Sequence, residues 1–346
     1  MKIVVRGTNW VGDAVMTIPA LRELRRVFPD SHIVLHTRAW ARGIFKDADF
    51  IDELLTFDKG KSAFLNVLEQ SNGLRKRKFD LAILFPNSFE AAATARLGKV
   101  KTRIGYATDG RSFLLTDALP VPEWKNRRHE VFYYLNIVAE IEKKFQGATT
   151  VWEREPHFEL DVSEERKTRA RKMLAENGVD LSKKIVVFVA GSTNSRAKRW
   201  QTESYAQLND RIQIEQNANV VLIGSKDELD VSIEVAAKSN TKPIILTGKT
   251  DLAEAAAILS VCDLVVSNDT GPAHIAAALG TKTLVIFGPT NPLTTRPFPE
   301  NAEIFYKNVE CSPCMLRDCP IDHRCMTRIS TEEVLVKAQD LLTADK

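Results

Sequence analysis

Two stretches of this chain open in the same way. "KIVVRGT" at Lys2 and "KIVVFVAGS" at Lys184 are each an apolar, β-branched run that ends in a glycine turn. Continuous runs of this kind suit the strands of a parallel sheet, where helices cover both faces. Helix and strand patterns then alternate: "IPALRELRRVFP", "HIVLHT", "DLAILFPNS" and "RIGY" in the first half, "SYAQLNDRIQIEQ", "NVVLIGS", "PIILTG" and "LVVSND" in the second. The doubled pattern predicts an α/β chain of two facing Rossmann-like domains with a ligand crevice between them, at the carboxyl ends of their strands. A polar segment and a charged helix at 147–183 separate the two series, so the expected domains are 1–165 and 166–346. The amphipathic last helix, "TEEVLVKAQDLLTA", is expected to pack back on the first domain.

Composition narrows the class. A chain of 346 residues suits two domains, and 44% hydrophobic with 27% charged residues makes it globular. No stretch approaches the ~20 apolar residues of a membrane span. The opening "MKIVVRGTNWVGDAV" starts a strand at once, without a basic leader or apolar signal core, which predicts a cytoplasmic protein. Five cysteines in such a chain do not make a disulfide scaffold. Residues 1–150 hold 24 Lys+Arg against 17 Asp+Glu, a balance of +7, while 151–346 hold 24 against 28, or −4. The basic clusters "LRKRKFD", "RLGKVKTRIGY" and "KNRRHE" therefore suit an anionic partner at the protein surface, or are ordinary solvated faces. The near-neutral total and the absence of a recognised module speak against nucleic acid.

The loops that follow strands carry the chemistry. In "LVVSNDTGPAHIAAALGTKTLVIFG" a helix from Pro272 to Leu279 lies between two parallel strands. Pro272 suits the first helical position, and Asp269 or Thr270 can cap the amides around it. The same helix start, with Gly271 allowing close approach, suits phosphate as well as it suits a simple cap. "GSTNSRAKRW" offers Ser192 and Thr193 as donors and Lys198 as a charge, but it lacks the glycine spacing of a P-loop. Glu228, just past Gly224, stands where an acidic residue reaching a ribose hydroxyl would stand, and equally where a surface carboxylate opens a helix. In the first half, Gly7 and Gly12 flank a loop with Trp10, which fits a binding wall. Asp13 starts the helix that continues through Leu24, either as its N-cap or as a carboxylate presented to a ligand. Cys311, Cys314, Cys319 and Cys325 have a spacing that can reach a structural zinc or iron centre, or are reduced thiols in a loop.

These stretches together resemble glycosyltransferase family 9, the ADP-heptose:lipopolysaccharide heptosyltransferases. The resemblance rests on "NWVGDAVMTIPAL", "FPNSFEAA", "RIGY", "AKRW", "VLIGSKDE", "SNDTGPAHIAAALG" and "VIFGPTNP", in order over most of the chain. It implies a GT-B fold, with the acceptor on the first domain and the nucleotide-sugar on the second. It implies an inverting transfer of heptose from ADP-L-glycero-D-manno-heptose to the inner-core heptose of lipopolysaccharide, a lipid A core acceptor, at the inner face of the inner membrane. The Trp10-Val11-Gly12-Asp13 run favours the second heptose transfer. By that similarity Asp13 is the general base and Lys198 faces the departing diphosphate. Ser192, Thr193, Glu228, Asp269, Thr270, Gly271 and His274 bind the donor, and Trp10, Asn87, Ser88 and Arg103 the acceptor. No cofactor is implied for catalysis. The alternatives are another GT-B transferase or a nucleotide-sugar epimerase with a different donor, or a non-catalytic protein that binds an anionic sugar.

Overall fold

A computed structural model of the chain describes residues 1–58, 60 and 62–343. It forms two compact units, Met1–Phe158 and Glu159–Lys346. The first holds β1 (Lys2–Arg6), β2 (His32–Arg38), β3 (Glu53–Phe57), β4 (Leu81–Leu84), β5 (Thr102–Tyr106) and β6 (Asp117–Leu119), in the spatial order β3-β2-β1-β4-β5-β6. The second holds β7 (Ile185–Val189), β8 (Asn219–Leu222), β9 (Ile244–Ile245), β10 (Leu264–Asn268), β11 (Thr283–Phe287) and β12 (Ala302–Tyr306), in the order β12-β11-β10-β7-β8-β9. Neighbouring strands pair in parallel throughout. The α/β architecture with two Rossmann-like units is therefore the one that the two apolar openings specify. Every residue of β7, β10 and β11 is buried, which is why their sequences run apolar without alternation.

Three boundaries differ from expectation. The units divide at 158/159 rather than 165/166, because Leu160 N donates to Ala278 O at 2.9 Å and ties that segment into the second unit. The last helix, Thr331–Thr343, does not join the first unit. Val334, Leu335, Ala338 and Leu342 share a buried core with Trp200, Tyr205 and Ile286, and Lys282 Nζ donates to Leu341 O at 2.9 Å. The helix expected to run through Leu24 is two, Val11–Met16 and Ile18–Val27. Pro19 cannot donate to Val15, so the chain breaks at Thr17, whose Oγ1 donates to Ala14 O at 2.6 Å.

In each sheet the order reverses at one place, between β1 and β4 in the first and between β7 and β10 in the second. No helix among the described residues is long and apolar enough to cross a membrane.

Candidate active site

Where the strand order of a parallel sheet reverses, the loops leaving the two adjacent carboxyl ends run to opposite faces and open a crevice. In the second unit those loops follow β7 and β10, and they hold most of the residues singled out as donor ligands. Lys198 ends a one-turn segment, Arg196–Lys198. Its Nζ lies 2.7 Å from Asp269 Oδ2, and Thr290, in the loop after β11, donates to the same oxygen at 2.6 Å. The Asp269 side chain is only 5% exposed, and a carboxylate that buried requires such partners.

The Gly271–Ala278 helix begins beside this pair, with Pro272 in its first turn. Thr270 holds the N-cap position, but neither it nor Asp269 gives a side-chain cap, so of the two readings of this helix start the simple cap does not hold. Asp269 is committed to Lys198 and Thr290, and Thr270 Oγ1 turns back to Asn268 O at 3.3 Å. With no side-chain cap, the positive end of the helix suits an anion. His274 is buried in the body of this helix.

The loop after β7 is closed by Arg199, whose Nε and Nη2 donate to Ser192 O at 3.3 and 3.2 Å. Thr193 is exposed, with its Oγ1 3.4 Å from Ser225 Oγ. Glu228 is not a surface carboxylate: it is 7% exposed and completes a capping box, with Oε2 accepting from Ser225 N at 2.8 Å and from Ser225 Oγ at 2.9 Å. A Cβ placed on Gly191 would lie 2.4 Å from Glu228 Cδ, so only glycine lets the β7 loop come this close.

In the first unit the corresponding loops follow β1 and β4. Trp10 occupies the N-cap position of the Val11–Met16 helix and is 57% exposed. Asp13 stands in the first turn of that helix, so the reading of Asp13 as its N-cap does not hold. Its charge reaches the start of the Glu130–Gln146 helix. Burial raises the pKa of Glu130 and nearby Asp13 adds to it, against Lys125. Burial pushes Tyr134 well above its ordinary range, with Asp13 and Glu130 adding to the effect. Asn87 Nδ2 donates to Tyr133 OH at 3.0 Å, and Ser88 caps the Phe89–Leu97 helix by accepting from Ala91 N at 3.3 Å.

Arg103 does not fit the acceptor role. It is 6% exposed, and its guanidinium donates to Leu114 O at 2.8 Å, Val100 O at 2.5 Å and Lys101 O at 3.2 Å. Val100 and Lys101 precede β5, so these bonds draw the side chain to the amino edge of the sheet, away from the crevice edge. The cysteine segment is corrected too. Burial first, then the charges of Cys311, Cys314 and Cys319, push the Cys325 thiol up to about 11. Among the described residues, however, no group of three or more His, Cys, Asp or Glu converges as metal ligands, and the expected zinc or iron centre is not supported.

Three supporting residues escape sequence reasoning. Asn268 is fully buried and stitches the second crevice together: Nδ2 donates to Ala190 O at 2.7 Å and Gly191 O at 3.2 Å, while Oδ1 accepts from Trp200 N at 3.0 Å and Tyr205 OH at 3.2 Å. Its place at the end of an apolar strand was the available signal. Arg111, also fully buried, ties the β4 and β5 loops by donating to Tyr106 O at 3.0 Å, Ser88 O at 3.2 Å and Pro86 O. Thr290 secures Asp269. Pro86 and Ser88 lie 25 and 23 residues from Arg111, and Asp269 lies 21 from Thr290, so no local pattern announces these bonds.

Comparison with known proteins identifies the family. Residues 67–324 match the family model of glycosyltransferase family 9 (heptosyltransferase). The chain is 27% identical to lipooligosaccharide heptosyltransferase 2 of Campylobacter jejuni, over 99% of this chain and 98% of that protein. It is 30% identical to lipooligosaccharide heptosyltransferase 2 of Haemophilus ducreyi, over 88% of each. Among solved structures it is similar to E. coli ADP-heptose lps heptosyltransferase II, with a TM-score of 0.84 and 25% identity over 99% of this chain and 98% of that one.

Proposed function

The chain belongs to glycosyltransferase family 9, the heptosyltransferases, with the α/β architecture of GT-B enzymes, and we propose that it moves heptose from ADP-L-glycero-D-manno-heptose to the inner-core heptose of lipopolysaccharide, inverting the anomeric centre. The observation that carries the donor assignment is the Lys198–Asp269–Thr290 group beside an uncapped helix start at the order reversal of a parallel sheet.

A sugar nucleotide already contains a good leaving group. Catalysis then needs a base for the acceptor hydroxyl and positive charge for the departing diphosphate. On this reading Lys198 and the amides from Thr270 and Gly271 onward receive the diphosphate, with the Ser192 and Thr193 hydroxyls alongside. Glu228, beneath the Gly191 loop, accepts from the ribose. Asp269 is a carboxylate and can only accept, so it serves the heptose hydroxyls rather than phosphate, as does His274 from the helix that follows. Asp13 takes the proton from the acceptor hydroxyl, while Trp10, Asn87 and Ser88 border the acceptor. Arg103 has no part in this set.

The test is a donor and acceptor screen read by mass spectrometry, with ADP-, UDP- and GDP-sugars against a lipid A core acceptor. Transfer from ADP-heptose alone is the expected result. Transfer only from a UDP- or GDP-sugar would assign the chain another donor, and binding without product would make it a sugar-binding protein. The excess of +7 on residues 1–150 also supports docking of the first unit on an anionic inner-membrane surface. Exposed charges act over about 8 Å at physiological salt, so association with anionic vesicles should fall as salt is added. Salt-independent association would contradict the electrostatic account.

A further inference from the structure

Between β12 and the last helix the chain runs back over the carboxyl edge of the second sheet, and this segment grips both the β7 loop, which holds Lys198, and the β11 loop, which holds Thr290. Toward the β11 loop, Ser312 Oγ donates to Gly288 O at 2.6 Å and Met315 N donates to Pro289 O at 2.8 Å. Toward the β7 loop, Ala197 N donates to Arg317 O at 2.9 Å, and His323 Nε2 lies 2.6 Å from Ala197 O. A carbonyl oxygen only accepts, so His323 carries its proton on Nε2 and donates. Both backbone polar groups of Ala197, the residue before Lys198, are thus held by the same segment. The contacts close into a ring. From the segment they pass through Ala197 to Lys198, to Asp269, to Thr290, and back by Pro289 to Met315.

His323 adopts this position at a cost, with a left-handed φ of 55°, a region a residue with a side chain seldom occupies unless its surroundings hold it there. Lys198 has a flexible four-carbon stem, so its ammonium is placed only if the backbone beneath it is fixed. Asp269, its partner, is fixed from the other side of the ring by Thr290.

We propose that this segment is the positioning element of the leaving-group lysine, with His323 as a positioning residue that acts on the reaction through Ala197 and Lys198. The inference rests on the reading of Lys198 as the group that faces the departing diphosphate. His323→Ala removes the donor to Ala197 O, whereas His323→Gln keeps an N–H at a similar reach. The experiment measures turnover at saturating ADP-heptose and acceptor, together with melting temperature, for His323→Ala, His323→Gln, Lys198→Ala and the double variant His323→Ala/Lys198→Ala. Turnover should fall about tenfold in His323→Ala, in keeping with the cost of misplacing a reacting group by a fraction of an ångström, and should largely return in His323→Gln. In the Lys198→Ala background His323→Ala should have no further effect on turnover, because the residue it positions is gone. Normal turnover in His323→Ala, with Lys198→Ala impaired, would overturn this inference alone. So would equal losses from His323→Ala in both backgrounds, since those would mark a general structural role. Normal turnover in Lys198→Ala would overturn the reading of Lys198 and this inference with it.

Discussion

The loops after β1 and β7 occupy the same place in two sheets of the same topology, yet they are built differently. The first turns directly into a helix, and Asp13 takes its position from that helix's first turn. The second makes a longer excursion before its helix, Thr202–Glu215. It is held by Asn268 at Ala190 and Gly191, by Arg199 at Ser192 and by His323 at Ala197. A short carboxylate on a helix start has little freedom to lose, whereas a lysine at the end of an irregular loop is placed only by outside bonds. One topology thus supplies a carboxylate cheaply on one side and a cation with extensive support on the other.

If the two loops divide base and leaving-group chemistry, their variants should fail in different ways. The largest effect is expected for Asp13→Asn, which keeps the side chain's shape and removes its basicity. Turnover should fall by ~10²–10⁴-fold, the usual contribution of a positioned base, with the melting temperature nearly unchanged because asparagine has the size of aspartate and still accepts hydrogen bonds through Oδ1. Steady-state kinetics at saturating substrates decide this, and wild-type turnover would remove Asp13 from the mechanism.

Lys198→Ala should lower turnover by about 10²–10³-fold, as the loss of one preorganised donor does elsewhere. Unlike Asp13→Asn it should also lower the melting temperature, since it leaves the buried Asp269 carboxylate with Thr290 but no cation. Adding Asp269→Asn to Lys198→Ala should restore the melting temperature without restoring turnover. Recovery of both would show that the pair is only structural.

The smallest effect is on stability in acid, and it too separates the units. Glu142 is 2% exposed, and although burial works to raise its pKa, bonds from Arg26, Thr149 and Thr150 hold it down at about 2 against an ordinary 4.5. A lowered carboxylate stabilises the fold above its unfolded pKa, so this contribution is complete above about pH 4.5 and fades as pH falls toward about 2. Its size is roughly 3 kcal/mol at most, at 1.36 kcal/mol per unit. Glu333, in the second unit, is also held at about 2, chiefly by Lys307, but its side chain is 43% exposed and solvent screens the pair. Melting curves from pH 7 to 3 should therefore flatten for Glu142→Gln and hardly change for Glu333→Gln. Equal changes would contradict the difference in burial.

The fold was legible because β1, β7, β10 and β11 are long apolar runs next to glycine turns, and parallel pairing follows from such runs. The loops after those strands and after β8 were legible for the same reason, which is how Asp13, Lys198, Glu228 and Asp269 could be picked as candidates without coordinates. Arg103 was misplaced because the sequence locates it on a strand but does not show which edge its long side chain reaches. Asn268, Arg111, Thr290 and His323 were missed as supports because each acts on backbone or side chains brought near by topology, often more than twenty residues away, as with Thr290 at a separation of 21 from Asp269. The cysteine spacing suggested ligands, but spacing in an irregular segment does not aim side chains at one point.

The central claim is that donor binding belongs to the β7, β8 and β10 loops and proton removal to the β1 loop. It is tested most directly by calorimetric titration of ADP into the wild-type protein, Asp13→Asn and Lys198→Ala. The account predicts wild-type affinity in Asp13→Asn and at least about tenfold weaker binding in Lys198→Ala, a loss of about 1.4 kcal/mol. Weakened ADP binding in Asp13→Asn, or unchanged binding in Lys198→Ala, would contradict it.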